Sequence, residues 1–201
     1  MIVFTISGKM STTVNVFRMV AEELEIENKV SIIDSGNLST GIGLMVLKAS
    51  TMAQEGKTRE EICVAINDVK DRVRASFVVD TLTYLHRGGR CSSVEALAGG
   101  VLKLHPKIVV EKGSMGADKK YRGKMHKVIL DYVKDMEEDL KKADKARVFI
   151  THSGCDQAVI DGVHTYLEEL NHFDEIFVTR AGGVISSHCG PGTLGVLYIA
   201  E

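Results

Sequence analysis

Short apolar runs rich in β-branched residues alternate along the chain with longer stretches that carry apolar residues at helical spacing. Residues 2–6, 30–34 and 77–79 are runs of the first kind. Helical spacing is clearest in the series Val14, Phe17, Ala21 and Leu24. This alternation predicts β-strands joined by helical crossovers, which favours parallel strand pairing in an α/β fold.

Capping signals mark further helices in the first part of the chain. Ser39 is a suitable N-cap for an amphipathic stretch that ends at Gly56. The pattern Thr-Arg-Glu-Glu at residues 58–61 is typical of a capping box, and apolar residues at helical spacing follow it. We therefore predict a helix after each signal.

The pattern changes after Asp80. A Gly-Gly-Arg turn ends residues 82–90, a capping box at 92–95 opens another helix, and residues 108–111 can pair with a strand near Tyr121 across the polar segment 112–118. One long helix should then run from Met125 to Leu140, and a further α/β unit ends the chain. We predict two α/β units with a mostly parallel sheet, a partial N-terminal domain over 1–80 and a C-terminal domain over 81–201.

Composition narrows the possible functions. Hydrophobic residues make up 44% and charged residues 26%, and the net charge of -2 gives no reason to expect nucleic acid as a partner. The first residues lack the pattern of a signal peptide, and no apolar run approaches the ~20 residues of a membrane-spanning helix. The four cysteines are far apart, without spacing typical of zinc. We expect a soluble, cytoplasmic protein with reduced thiols, no metal and no integral membrane segment.

Two loops after predicted strands carry the candidate chemistry. Ser11 and Thr12 precede the first helix, where hydroxyl and free N–H groups can bind an anion; simple capping of the helix is the alternative. The Gly- and Pro-rich segment 182–193 should form a defined loop that presents His188 to a carboxylate or phosphate, although such a histidine can also be purely structural. Arg87, Arg90 and Arg122 could face an anion or an acidic partner, or could simply be solvated.

Several segments resemble the DegV family of fatty-acid-binding proteins, in the family's order and over essentially the whole chain. They are residues 5–12, Asp34-Ser, 77–90, 97–106, Tyr-Arg-Gly-Lys at 121–124, Thr-His-Ser-Gly at 151–154, and 188–195. The resemblance implies a long-chain fatty acid in a buried pocket, with residues 81–201 as the lipid-pocket domain. It also implies a carrier that is not an enzyme: a separate fatty acid kinase subunit supplies the ATP site, and the bound fatty acid takes the place of a cofactor.

The resemblance also implies roles for individual residues. Ser11 matches the serine that hydrogen-bonds the fatty acid carboxylate, His188 matches the histidine beside it, and Thr12 is a possible additional ligand. Arg90 and Arg122 resemble arginines that face the kinase. Compared with the family, the chain has Ser-Thr-Thr where Ser-Gly-Thr is usual, and it lacks the opening βα segment, so we expect a shortened member with a truncated first unit.

Two other functions fit the same residues. A small-molecule hydrolase or phosphotransferase could use His188 as its acid or base. A degenerate relative of the family could bind no ligand at all. The first would turn over substrate without a partner, and the second would purify without lipid.

Overall fold

The computed structural model describes residues 1–89 and 104–201 and divides the chain into two compact units. Unit 1 comprises Met1–Val73 and Lys112–Ser114, and unit 2 comprises Arg74–Glu111 and Met115–Glu201. Arg90 and most of the helix predicted after the capping box at 92–95 lie outside the described residues.

Unit 1 is built on two parallel strands. β1 (Ile2–Thr5) pairs with β2 (Ser31–Asp34) from Ile2↔Ser31 to Thr5↔Asp34. Three helices complete the unit, α1 (Thr13–Glu23), α2 (Ser39–Gln54) and α3 (Arg59–Val69), followed by a 3-10 turn at Lys70–Arg72. Parallel pairing with a helix between the strands is the crossover arrangement that the sequence predicted.

The two capping predictions in unit 1 have different outcomes. The capping box is confirmed, because the Thr58 side chain accepts from the Glu61 N–H while the Glu61 carboxylate accepts from the Thr58 N–H. Ser39 is not the N-cap of α2; that position is Leu38, whose side chain makes no cap hydrogen bond. The buried Asn37 takes over part of this role, since its side-chain oxygen accepts from the Leu38 N–H at 2.9 Å.

The apolar stripe predicted on α1 is only partly buried. Val14 and Ala21 belong to the core, whereas Phe17 is 43% and Leu24 61% exposed. Val16, Met19 and Val20 are exposed on the same helix. Helical spacing therefore predicted the element correctly but not which of its apolar residues are covered.

Unit 2 is organised around one six-stranded sheet with the order β5-β4-β3-β8-β6-β7. Its strands are β3 (Val73–Val78), β4 (Leu104–Glu111), β5 (Ser114–Arg122), β6 (Arg147–His152), β7 (Glu175–Arg180) and β8 (Leu194–Ile199). Its described helices are α4 (Thr83–Gly88), α5 (Met125–Lys134), α6 (Glu137–Leu140), α7 (Gln157–Glu169) and α8 (Gly183–Cys189).

The α/β class is confirmed, but the sheet of unit 2 is mixed and not mostly parallel. β6 pairs with β7 in parallel across α7, whereas β3–β4 and β6–β8 are antiparallel. One reason why the sheet is mixed is the short connection between β4 and β5, where Lys112 and Gly113 have φ of 48° and 81°. Positive φ at both central residues is typical of a tight hairpin turn, so most of the predicted polar loop is strand. β3, predicted in the first domain, belongs to this second sheet, which places the boundary between units after Val73.

The core of unit 2 surrounds a fully buried tyrosine. The Tyr132 hydroxyl donates to the Ser76 carbonyl at 2.8 Å and accepts from the Val196 N–H at 3.0 Å, so α5 is bonded to β3 and β8. Burial of the phenol raises the pKa of Tyr132 above its ordinary value. The single long helix predicted here is instead α5 followed by the short α6, with Asp135 at the break bonded to the Tyr121 hydroxyl.

Candidate functional site

In unit 1, the segment between β1 and α1 is a tight turn held by its own backbone. The Met10 and Ser11 N–H groups both donate to the Ser7 carbonyl, at 2.9 and 3.1 Å. The buried Ser7 hydroxyl donates to the Gly113 carbonyl at 2.6 Å, and its N–H donates to the Asn37 carbonyl at 2.9 Å. These bonds fix the path of the chain up to the hydroxyl residues that precede α1.

Asp34, at the end of β2, ties the same turn to its neighbouring strand. Its carboxylate accepts from the Gly8 N–H at 3.1 Å and from the Gly36 N–H at 3.0 Å. A carboxylate that accepts several backbone bonds is a rigid anchor, because each bond to a charged group is stronger than a neutral one. Asp34 thus positions the turn through backbone donors.

Ser11, Thr12 and Thr13 present hydroxyl groups at the start of α1. The Ser11 hydroxyl oxygen accepts from the Thr13 N–H at 3.3 Å and lies 2.7 Å from the Thr13 hydroxyl. Thr12 is the N-cap residue, but its exposed side chain makes no capping bond. Helix capping therefore uses only some of these hydroxyl groups, and the start of α1 still offers donors that can bind an anion.

In unit 2, His188 lies on a helix, contrary to the loop that we predicted for residues 182–193. α8 occupies Gly183–Cys189, and its last turn carries His188. Helical geometry places residues four apart on one face, and His188 Nδ1 lies 2.9 Å from the Val184 carbonyl oxygen. The glycines and proline predicted to fix a loop path flank the helix, so the loop is confined to the residues around it.

Two glycines allow α4 and α8 to pack closely. A Cβ at Gly88 would stand 2.5 Å from His188 Cδ2 and 3.3 Å from its Nε2, so the imidazole lies directly on the α4 backbone. A Cβ at Gly190 would stand 2.8 Å from Tyr84 Cε2. Side chains larger than hydrogen at either position would displace a ring, and the histidine orientation therefore depends on residues of both helices.

The Thr-His-Ser-Gly segment after β6 supports the C-terminal end of α8. The buried Ser153 hydroxyl donates to the Gly190 carbonyl, and its N–H donates to the Thr193 carbonyl at 2.9 Å. The Thr193 hydroxyl donates to the Cys189 carbonyl at 3.0 Å. Two segments that stood out in the sequence thus fold onto each other.

A second histidine lies beside this support. His152 pairs with Arg180 across β6 and β7, and its Nδ1 accepts from the Cys155 N–H at 3.4 Å. Partial burial, assisted by the Arg180 charge, lowers the pKa of His152 below its ordinary value. The ring is therefore neutral at physiological pH, which suits an acceptor of a backbone hydrogen bond.

The predicted site residues are distributed over both units. Ser11 and Thr12 stand together in unit 1, whereas His188 and Arg122 belong to unit 2. Arg122 is an exposed residue at the end of β5, and Arg87 is exposed in the last turn of α4. Arg90 lies outside the described residues.

In residues 1–89 and 104–201, no group of three or more His, Cys, Asp or Glu side chains is placed to hold a metal ion. None of the helices in this described part is both long and apolar enough to cross a membrane.

The sequence did not single out several residues that build the site. Ser7, Asp34 and Gly113 hold the unit 1 turn, and Gly88 and Ser153 hold the histidine helix. Most of them lie within the segments that carry the family resemblance, which was the available signal. Their positioning roles depend on contacts between residues far apart in sequence, which spacing alone does not reveal.

The motif segments also align with known proteins. The sequence model of the DegV family, described as uncharacterised proteins, matches residues 1–201. A DegV domain-containing protein of Caldanaerobacter subterraneus is 30% identical over 182 residues, which cover 90% of this chain and 64% of the relative. A fatty acid-binding protein of Thermotoga maritima is 31% identical over 196 residues, which cover 96% of this chain and 67% of the relative. The chain thus spans about two thirds of the length of these relatives, and slightly less for the first.

Solved structures agree with this alignment. A structure describing fatty acid binding by a DegV family protein from Thermus thermophilus superposes with a TM-score of 0.88 at 28% identity, covering 100% of this chain and 70% of that one. A DegV family protein from Eubacterium eligens loaded with heptadecanoic acid gives a TM-score of 0.84 at 25% identity, covering 100% and 72%. Since the family model matches the whole of residues 1–201, the chain belongs to the DegV family.

Proposed function

We propose that the chain binds a long-chain fatty acid, with Ser11 and His188 hydrogen-bonded to its carboxylate and Thr12 as a possible additional donor. Relatives named for fatty acid binding, and similar structures that contain a fatty acid, support the ligand class. The observation that carries the proposal is the hydroxyl group of Ser11 at the start of α1, in the segment that those relatives share.

The geometry around Ser11 suits a carboxylate. When the Thr13 hydroxyl donates to the Ser11 oxygen, the Ser11 hydroxyl hydrogen is free to donate to a ligand. The first turn of α1 adds the positive end of the helix dipole, which favours a negative charge. A carboxylate at this position would gain a charge-assisted hydrogen bond of about 1.5–3 kcal/mol from the serine.

His188 can contribute when its ring is charged. Nδ1 is near the Val184 carbonyl, so the hydrogen on Nδ1 donates there and Nε2 carries a lone pair in the neutral ring. A lone pair repels a carboxylate, whereas the imidazolium donates from both nitrogens.

Apolar burial supplies most of the affinity for such a ligand. A chain of ~15 methylenes transferred from water at ~0.8 kcal/mol each yields on the order of 10 kcal/mol before ordering costs. The polar contacts then need only orient the head group, and one serine with one histidine suffices for that role.

The finer proposal concerns a partner. The bound carboxylate would be presented to a separate fatty acid kinase, with Arg90 and Arg122 facing that subunit. The exposed guanidinium of Arg122 at the end of β5 is compatible with this role, because arginine can form two parallel hydrogen bonds to a phosphate or carboxylate group. The sequence contains no phosphate-binding loop for ATP, so the kinase would supply the nucleotide.

The first experiment tests the ligand. Mass spectrometry of an organic extract of the purified protein should find about one fatty acid per chain, and Ser11→Ala and His188→Ala should each weaken binding about 10- to 100-fold without unfolding the protein. Ser50→Ala on α2, where the side chain is exposed, and His164→Ala on α7, where it is half-buried, are matched controls. Lipid-free protein that also ignores added fatty acid would favour a relative that binds nothing.

The second experiment tests the partner. Arg122→Ala should leave fatty acid affinity unchanged but strongly reduce acyl phosphate formation with an added kinase subunit and ATP, while Lys142→Ala should change neither. Acyl phosphate made by this chain alone would instead establish a phosphotransferase. Loss of fatty acid affinity in Arg122→Ala would place the arginine at the ligand.

A further inference from the structure

The two edge strands of the six-stranded sheet differ in their chemistry. β5 forms one edge and β7 forms the other. β5 has exposed charges at Lys119, Lys120 and Arg122, and charged side chains of this kind keep an edge strand from pairing with another chain. β7 has the sequence Glu-Ile-Phe-Val-Thr-Arg, with charges only at its ends and neither lysine nor proline between them. The middle of β7 therefore lacks the residues that usually protect an edge.

The backbone of β7 is paired along one side. It pairs in parallel with β6 from Arg147↔Glu175 to His152↔Arg180. Among the strands formed by residues 1–89 and 104–201, none lies beyond β7. An edge strand presents a row of backbone N–H and C=O groups that can hydrogen-bond to a further strand. The backbone of β7 can therefore extend the sheet.

Apolar side chains stand at this edge on both faces of the sheet. Val178 is 43% exposed, although Ile176 on the same face packs against the core of unit 2. On the opposite face, the half-buried Phe177 stacks on Phe149 of β6, with ring centroids 5.2 Å apart. A strand placed beside β7 would cover the exposed parts of Val178 and Phe177 together.

The charges at the two ends of β7 make the strand complementary to a second copy of itself. In an antiparallel pair centred on Phe177, Val178 stands opposite Ile176 of the second copy, and Arg180 stands opposite its Asp174. Asp174 and Arg180 are both exposed, and no ion pair within residues 1–89 and 104–201 involves either of them. Opposite charges directly across two antiparallel strands stabilise the pair. A centre on Val178 would instead place Arg180 opposite Ile176, without such an ion pair.

We propose that two copies of this chain associate through antiparallel pairing of their β7 strands, centred on Phe177, so that their six-stranded sheets become continuous. A two-fold interface must be complementary to itself, and the ion pair between Asp174 and Arg180 is then formed twice. Because one six-residue strand from each copy makes a small interface, we expect weak association that depends on protein concentration. The proposal goes beyond the fatty acid ligand and does not depend on it.

The first test is sedimentation equilibrium of the 201-residue chain. Between about 1 µM and about 500 µM, the mass should rise from that of one chain to that of two. Val178→Lys should weaken association about tenfold or more, because a lysine in the middle of an edge strand opposes pairing. Val64→Lys on α3 replaces a valine that is 72% exposed, adds the same charge and should associate like the parent.

A charge exchange tests the register of the strands. Arg180→Asp places two carboxylates opposite each other at both ends of the pair and should weaken association, whereas adding Asp174→Arg to the same chain should restore it. Circular dichroism checks that each variant is folded. A chain that stays monomeric at every concentration, equal loss in Val178→Lys and Val64→Lys, or no recovery in the double variant would overturn the proposal. Species larger than two copies would also overturn it, because a two-fold pair leaves no β7 edge free.

Discussion

Gly88 offers the sharpest test of the histidine part of the site, because it touches the ring without carrying a functional group. In Gly88→Ala, the new Cβ would stand 2.5 Å from His188 Cδ2, a separation that carbon atoms do not tolerate. The ring must rotate or shift, and its Nδ1 contact with the Val184 carbonyl at 2.9 Å would be strained or lost. We therefore expect Nε2 to move from its position.

The magnitude follows from what the ring is proposed to do. A hydrogen bond to a charged carboxylate is worth about 1.5–3 kcal/mol, so its loss should raise the Kd for fatty acid about 10- to 150-fold. Folding stability should change little, because alanine at a helical position gains up to ~1 kcal/mol over glycine while the clash opposes that gain. Titration calorimetry measures the first quantity, and urea denaturation measures the second.

A matched glycine provides the control. Gly183 begins α8, and a Cβ there would meet no atom within 4 Å. Gly183→Ala should therefore keep parental affinity. If Gly88→Ala binds fatty acid as tightly as the parent while His188→Ala does not, the ring position on α4 is irrelevant and the reasoning fails. Equal loss in both glycine variants would point to a general effect on α8.

Further predictions concern stability and thiol chemistry. Tyr132→Phe should lower the free energy of unfolding by about 2–4 kcal/mol, because it leaves the buried Val196 N–H unpaired. Tyr166→Phe, at a half-buried position where the hydroxyl bonds the Glu137 carboxylate, should cost less in the same urea titration. Gly195→Ala should cost about 3 kcal/mol or prevent folding, since its Cβ would stand 2.7 Å from a backbone carbonyl oxygen of β3; soluble yield and urea denaturation measure this. Burial, with a smaller effect of a nearby aspartate, raises the pKa of Cys155 to about 11, so its alkylation by iodoacetamide should be slow at neutral pH and should accelerate as pH rises towards that value; mass spectrometry of peptides follows it. Fast alkylation at neutral pH would contradict the raised pKa of the Cys155 thiol.

Local signals predicted the elements of this fold well. The capping box at Thr58 and the pairing of β4 with β5 are present, and the apolar runs became strands. These features depend on residues close in sequence, so spacing and residue type carry the necessary information. Predictions of features that depend on contacts between residues distant in sequence were less accurate.

The errors share a physical cause. Whether two strands pair in parallel or antiparallel depends on the path of the chain between them. An apolar run looks the same in either strand direction, so the sequence pattern did not predict that β3–β4 and β6–β8 are antiparallel. The helix predicted from Met125 to Leu140 breaks at Asp135, which bonds to Tyr121 on β5. Glycines around residues 182–193 suggested a loop, yet they serve close packing and helix ends there. In each case tertiary contacts override the local pattern.

The candidate site shows how structural and functional roles can share one side chain. Capping was the simpler explanation for the hydroxyls near α1, and the Ser11 oxygen does accept from the Thr13 N–H. That bond uses a lone pair, and the hydroxyl hydrogen is left to donate to a ligand when the Thr13 hydroxyl donates to Ser11. In the same way, His188 is tied to its own helix through Nδ1, and no described residue hydrogen-bonds its Nε2. In each residue a structural hydrogen bond restricts the side chain, which lowers the entropy cost of the ligand contact that we propose for it.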